Sequence, residues 1–229
     1  MTISIHQPYY LPWLGYFDKL ARSDYFVFLD IVQFQKNGFT NRNQIKTPQG
    51  AIWLTVPIST KDHLKNTIEH LTIADDKWQK KHWRSIELNY AKSPHLKGYY
   101  DGLKYFYDKQ WKLFGDLCWE MLNFWKEKLK IQTKLIKASE LDVTGKKDKL
   151  ILDICKKMKA TRYLSGSFGR EYLDTNEFEK NDVDVKFQSY SYCQYPQLFG
   201  DFIPNMSIVD TVCNVKNPLE LILKGATYD

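Results

Sequence analysis

The chain opens with a short apolar stretch that ends in a histidine, and this histidine is the residue best placed to do chemistry. Residues 3–6 read ISIH, and Pro8 follows too closely for a helix to continue. We therefore predict a short buried strand ending at His6. A histidine presented there by a loop with two prolines can bind an anion or act as a general acid or base. It can equally be a structural histidine bonded to the backbone beneath an aromatic cluster.

Other polar and aromatic side chains are candidates for substrate binding. Amides and a guanidinium bond hydroxyls, carboxylates and phosphates directionally, and the Gly-rich turn in YLSGSFGR can expose backbone N–H groups to an anion. Ordinary turn chemistry and packing explain the same residues as well. The candidates are Gln7, Tyr9, Trp13, Asp30, Gln33, Asn41, Arg42, Asn43, Ser165, Gly166 and Arg170.

Several common enzyme signatures are absent from the sequence. The four cysteines are widely spaced without a CxxC pair, and the five histidines form no HExxH arrangement. No GxSxG elbow and no phosphate loop ending in GK[ST] occurs. We therefore predict neither a disulfide framework nor a metal site. No resident cofactor is predicted, and magnesium bound to a nucleotide is the one exception we allow.

Net charge and hydropathy indicate which classes of binding partner to expect. The net charge of +6 is carried mostly by lysines interleaved with acids on predicted helices, which is typical of solvated helix faces. We expect a small, anionic substrate and no nucleic-acid partner. No apolar run approaches the roughly 20 residues of a membrane span, and no signal peptide is recognisable. The sequence thus predicts a cytoplasmic protein and leaves its oligomeric state open.

The predicted elements alternate between strands and helices. The chain starts as strand, loop, helix and strand, continues with a β-hairpin around PQG, and then has three helices at about 75–131. Further strands and helices follow without a linker. We therefore predict a single α/β domain over residues 1–229, with a mainly parallel sheet, flanking helices, a β-hairpin and a helical insertion. His6, Asp30 and Ser165 each close a predicted strand, so we expect them at one edge of the sheet.

Several segments together resemble the WbqC-like family of bacterial proteins. They are HQPYYLPWLGYFDKL, FVFLDIVQFQKNGFTNRNQIK, WLTVPI, KKHW, YLSG with a following YLD, and FIPNMSIVD. The resemblance implies a role in O-antigen or capsule biosynthesis, as a transferase that adds an acyl or aminoacyl group, glycine in particular, to an amino sugar or a nucleotide-linked amino sugar. The family motif marks His6, Gln7, Pro8, Tyr9, Trp13, Gly15, Asp30, Gln33, Asn41, Arg42, Ser165 and Gly166.

His6 is our predicted catalytic residue, because an attacking sugar amine must lose a proton and imidazole titrates near neutrality. Three alternatives stay open at this point. Cys193 is a competing nucleophile, although no partner histidine can be named for it. A nucleotidyl transferase is disfavoured because HQPY lacks the glycine and second histidine of an HxGH motif. A non-enzymatic sugar-binding module remains, since aromatic rings beside amides are what sugars stack on.

Overall fold

A computed structural model describes residues 1–35, 38–59 and 66–229, and within them six strands form one mixed sheet and two form a hairpin. The sheet strands are β1 (Thr2–His6), β2 (Tyr25–Phe28), β5 (Lys134–Lys137), β6 (Arg162–Gly166), β7 (Asp184–Tyr190) and β8 (Ala226–Tyr228). The hairpin strands are β3 (Arg42–Thr47) and β4 (Gly50–Thr55). These are the mainly parallel sheet and the hairpin that the sequence predicts.

Eight α-helices accompany these strands in the described ranges. They are α1 (Leu14–Ala21), α2 (Lys77–Tyr90), α3 (Tyr100–Asp108), α4 (Phe114–Lys128), α5 (Asp148–Lys157), α6 (Thr175–Glu179), α7 (Ile208–Asn214) and α8 (Pro218–Lys224). The three consecutive helices α2, α3 and α4 fall within the predicted helical insertion. None of the helices in the described ranges has the length and apolar character needed to cross a bilayer.

The strand order reverses beside the first strand. The sheet runs β5-β2-β1-β6-β7-β8, and all neighbouring pairs are parallel except β7 with β8. After β1 the chain builds outward through β2 and β5, then returns to the other side of β1 with β6. In open α/β sheets ligands bind at such a switch point, in the crevice beyond the carboxyl ends of the strands. His6 ends β1 and Gly166 ends β6, so both flank this crevice.

Strand pleating sends neighbouring side chains of β1 to opposite faces of the sheet. Ile3 and Ile5 pack in an apolar cluster with α5 and α6. Ser4 and His6 face α1 instead, since the Ser4 hydroxyl donates to the Lys19 carbonyl oxygen and the His6 ring contacts Tyr16. The second and larger apolar cluster, with residues of α1–α4, α7 and α8, lies on this α1 face. His6 therefore belongs to the α1 side of the crevice.

Helix α1 is buried around its whole circumference. Every residue from Leu14 to Leu20 is buried, including the charged Asp18 and Lys19. The Asp18 carboxylate accepts from Arg22 Nε at 2.8 Å and from Gln188 Nε2 at 2.7 Å. The Tyr228 hydroxyl donates to the same carboxylate from β8. These bonds compensate the negative charge of Asp18 and attach α1 to β7 and β8.

Candidate functional site

The imidazole of His6 is held in one tautomer by its own backbone. Nδ1 lies 3.0 Å from the carbonyl oxygen of Gln7, and because a carbonyl can only accept, Nδ1 must carry the proton. The lone pair then resides on Nε2. In the described part of the chain no hydrogen bond involves Nε2. The arrangement leaves His6 with an available proton acceptor at the end of β1.

Burial and a nearby cation keep His6 neutral. The pKa of His6 lies well below 6.5, chiefly because burial penalises the imidazolium and secondly because Lys19 is positively charged. The rings of Tyr9 and Tyr16 pack against it with centroids at 4.6 and 4.7 Å. His6 is nevertheless only partly buried. A partly accessible, neutral imidazole of fixed tautomer is suited to general-base chemistry.

Lys19 is the charged side chain near His6 at the switch point, and it was not predicted from the sequence. Its side chain reaches the end of β6, since a Cβ placed on Gly166 would lie 3.5 Å from Lys19 Nζ. The residue is only 2% exposed, and burial lowers the pKa of its ammonium from 10.5 to about 8. Within the described ranges Nζ makes no hydrogen bond or ion pair. His6, Lys19 and Gly166 thus converge between β1 and β6.

The loop of residues 7–13 presents the site and is anchored to the hairpin. Leu11, fully buried, has a φ of 47°, an uncommon value for a residue with a branched side chain. The Asn43 side-chain amide donates to the Leu11 carbonyl at 2.6 Å, and Tyr10 N–H donates to the Thr40 carbonyl at 2.8 Å. The strained backbone is therefore held by tertiary contacts.

Two other residues of this loop have aromatic partners. Trp13 packs against Tyr190 and Tyr192 with ring centroids 5.4 and 6.1 Å apart, and its indole lies over Gly15, where a Cβ would clash with it. Tyr9 is half-buried beside His6. Gln7 contributes its carbonyl to the His6 hydrogen bond, and its side chain is half-buried. Gln7 and Tyr9 therefore contact His6, whereas Trp13 packs against Tyr190 and Tyr192.

The NRN segment lies at the start of the hairpin and bonds mainly to backbone. Asn41 Nδ2 donates to the Val56 carbonyl at 2.7 Å. Arg42 Nε donates to the Gly38 carbonyl at 3.1 Å, and its guanidinium lies 4.5 Å from the centroid of the Trp53 ring. The Asn41 and Arg42 bonds stabilise the start of the hairpin. The bond from Asn43 to Leu11 holds the loop of residues 7–13.

The remaining predicted residues lie on other parts of the same edge of the sheet. The buried Asp30 accepts from the backbone and hydroxyl of Ser139 at 3.0 and 2.7 Å, which ties the end of β2 to the chain after β5. Gln33 is exposed and forms an isolated bridge with Thr67. Cys193 is half-buried in the segment after β7.

Ser165 and Arg170 face the opposite side of the sheet from His6. Pleating turns Ser165 away from Gly166, and its hydroxyl lies beside Gly169, where a Cβ would stand 2.1 Å from it. That hydroxyl also contacts the Gly166 carbonyl at 3.2 Å. Arg170 stacks on the Phe187 ring at 4.4 Å and pairs with Asp229. The His6 ring thus contacts Tyr9 and Tyr16 and is affected by the charge of Lys19, whereas Ser165 and Arg170 face away from it.

Comparison with known proteins gives a consistent identification over most of the chain. The model of the WbqC-like protein family matches residues 7–218. A curated relative from Mycobacterium tuberculosis (strain ATCC 25618 / H37Rv), the uncharacterized protein Rv1507c, is 35% identical over 215 residues, which is 93% of each chain. No solved structure matches. The matched range includes the loop of residues 7–13, the hairpin and β6, whereas β1 with His6 lies just before it.

Proposed function

Since the chain belongs to the WbqC-like protein family, we propose that it transfers an acyl or aminoacyl group, glycine in particular, to the amine of an amino sugar. The acceptor is a free or nucleotide-linked amino sugar of bacterial surface-polysaccharide biosynthesis, O-antigen or capsule. The resemblance of the sequence to this family supplies the biological setting. The chemistry of the β1–β6 crevice supplies the physical support.

The neutral, tautomerically fixed His6 is the observation that carries the proposal. An amine that attacks a carbonyl becomes positively charged and must lose a proton. The Nε2 lone pair is available to accept it, because Nδ1–H is committed to the Gln7 carbonyl. Burial and Lys19 lower the pKa of His6, so the base is unprotonated at neutral pH. Proton transfer of this kind contributes ~10²–10⁴-fold to a rate.

The step balances as a nucleophilic acyl substitution. The amine nitrogen of the sugar forms a bond to the carbonyl carbon of an activated donor, such as a thioester or an acyl phosphate. The bond from that carbon to the leaving group breaks, and the leaving group takes the electron pair. The amine proton passes to His6 Nε2 and then to the leaving group or to solvent. His6 returns to its starting state without being consumed.

The test is a transfer assay with His6→Gln and His6→Asn. Purified protein is incubated with glycyl thioester and a panel of amino sugars and nucleotide-linked amino sugars, and products one glycyl residue heavier are sought by mass spectrometry. We expect one acceptor to be glycylated, with a rate at least ~10²-fold lower in both variants. His70→Gln is the matched control, because His70 has a 66% exposed side chain.

The variants separate catalysis from folding. Gln and Asn retain hydrogen-bonding groups of similar size but cannot take up the proton. Lost turnover with an unchanged melting temperature supports His6 as the base, whereas full turnover in both variants contradicts it. Release of pyrophosphate from a nucleoside triphosphate would indicate nucleotidyl transfer instead. Binding of free oligosaccharide without any turnover would indicate a sugar-binding module.

A further inference from the structure

Lys19 is a buried cation to which the described part of the chain bonds no counter-ion. Its residue is 2% exposed, yet Nζ has no hydrogen-bond acceptor and no carboxylate within ion-pair distance there. Asp18 is the neighbouring acid, but its carboxylate oxygens accept from Arg22, Gln188 and Tyr228. Buried charges in proteins are normally paired or hydrogen-bonded. A buried ammonium with no bonded acceptor in the described ranges is therefore a place where an oxygen anion from outside the chain can bind.

The end of β6 leaves room for a ligand beside Nζ. Gly166 ends β6 and is partly exposed, and a Cβ there would stand 3.5 Å from that nitrogen. The φ of Gly166 is −76°, so its backbone conformation does not demand glycine. Absence of a side chain at Gly166 thus leaves space directly above the ammonium.

From these contacts we infer that Lys19 binds the negatively charged group of the substrate, a phosphate or a carboxylate, in the crevice over Gly166 and next to His6. This inference rests on the proposed function in one respect: it assigns the anionic part of the transferase substrate to a particular residue. The shared chemistry is an oxygen anion able to accept from an ammonium. A nucleotide-linked sugar would supply it as phosphate, and an acidic sugar would supply it as carboxylate.

Two titratable groups act electrostatically with Lys19 in the described ranges, His6 from β1 and Asp18 from α1 itself. A bound anion would favour the protonated form of both Lys19 and His6. Affinity should therefore fall as pH rises through about 8, where free Lys19 loses its proton. Surface lysines titrate well above this range and would give no such fall.

Calorimetric binding with two variants tests the inference without any turnover. The probes are UDP-N-acetylglucosamine against free N-acetylglucosamine, for phosphate, and glucuronate against glucose, for carboxylate. Lys19→Met removes the charge while filling a similar volume. Gly166→Ala places a methyl group over Nζ at an ordinary contact distance. Lys97→Met, at an exposed lysine, is the control.

We expect the wild type to bind one anionic probe and not its uncharged counterpart, with affinity lower by about tenfold or more in Lys19→Met and in Gly166→Ala. The probe that loses affinity identifies the anion as phosphate or carboxylate. Equal affinity in wild type and Lys19→Met would overturn the inference, as would failure of the wild type to bind any of these anions. Loss of transfer in His6→Gln with retained anion binding would leave the Lys19 inference standing. The inference about Lys19 and the proposal for His6 can therefore fail separately.

Discussion

The Nδ1 atom of His6 lies 3.0 Å from the carbonyl oxygen of Gln7, the next residue along the chain. This local bond decides which ring nitrogen carries the proton and directs the lone pair of Nε2 away from the Gln7 carbonyl. Because donor and acceptor are adjacent in sequence, the tautomer is set as soon as the loop of residues 7–13 adopts its fold. The chemistry of the site therefore depends on how firmly this loop is held.

The first prediction concerns the pH dependence of transfer. His6 must be neutral to accept a proton. Lys19 must be charged if Lys19 binds the substrate anion. Because the pKa of His6 is well below 6.5, the rate should show no acid limb near 6.5; because the pKa of Lys19 is about 8, it should fall above that pH. The measurement is kcat/KM between pH 5 and 10. An acid limb centred at 6.5 would show that His6 is not shielded.

The second prediction concerns stability and charge at Lys19. Its folded pKa of about 8 lies below the unfolded 10.5, so between these values the unfolded chain binds more protons and wild-type stability rises with pH. Below pH 8, Lys19→Met should be more stable than wild type by up to about 3 kcal/mol. That advantage should shrink as pH rises toward 10.5.

Urea unfolding at several pH values measures this difference, with Lys97→Met as the exposed control. The control should track the wild type within about 0.5 kcal/mol throughout. A Lys19→Met protein that is less stable than wild type at pH 7 would mean that the ammonium has a stabilising partner within the folded chain.

The third prediction concerns the anchor of the site loop. Asn43→Ala removes the donor to the buried Leu11 carbonyl and the acceptor for Gln44 N–H, so it should lower the free energy of unfolding by about 1–3 kcal/mol. Transfer activity should fall further than this loss of folded protein explains, because the loop that presents His6 is freed. The matched control is Asn123→Ala, at an exposed amide of α4. Unfolding curves and initial rates on the same samples separate the two effects.

The fourth prediction concerns a buried carboxylate remote from His6 along the chain. Asp210 is fully buried on α7 and accepts from Tyr90 and Tyr195 hydroxyls at 2.7 and 2.6 Å and from Gln197 Nε2 at 2.7 Å. Asp210→Ala removes the acceptor of both tyrosine hydroxyls and one of the acceptors of Gln197 Nε2, which keeps the Ile203 carbonyl, and should cost about 3–5 kcal/mol of stability.

Asp108→Ala is the control for Asp210→Ala, since Asp108 has a 61% exposed side chain in an ion pair with Lys104. Its effect should stay within about 0.5 kcal/mol. Thermal unfolding followed by circular dichroism distinguishes the two variants. Equal melting temperatures would show that the two tyrosine hydroxyls find other acceptors.

Much of the fold is predictable because buried parallel strands are apolar runs and helices repeat their apolar residues at helical spacing. The strand that ends at His6, the helix and strand after it, the hairpin and three helices within about 75–131 were predicted, as were further strands and helices after them. The short α6 and β8 were not. Five and three residues carry too little periodicity. β8 forms because the outer edge of β7 can pair with it and Tyr228 can reach Asp18.

The sequence predicts that the candidate site lies at the carboxyl ends of the strands, but it does not predict which side chains face one another there. His6 was identified because a polar group at the end of a buried strand is unusual, and the strand order then places it at the switch point. Which face a side chain takes depends on pleat and register, so Ser165 could not be separated from Gly166 by sequence alone. Lys19 resembles any helix lysine. The sequence feature that could have identified Lys19 is its position three residues after Tyr16, on a short helix between two buried strands. Only the packing in the structure shows that Lys19 is buried.

The central place of β1 has a consequence for how the protein is made. Its partner β2 follows closely, but its partner β6 pairs Arg162 with Thr2, and the amino group of Met1 bonds to Thr161, a separation of 160 residues. Until the ribosome has released that much chain, one hydrogen-bonding edge of an apolar strand stays uncovered. Such long-range pairing slows folding and leaves nascent chains open to aggregation. We therefore expect the yield of folded protein to depend on chaperones that shield the unpaired edge of β1 until β6 has been synthesised.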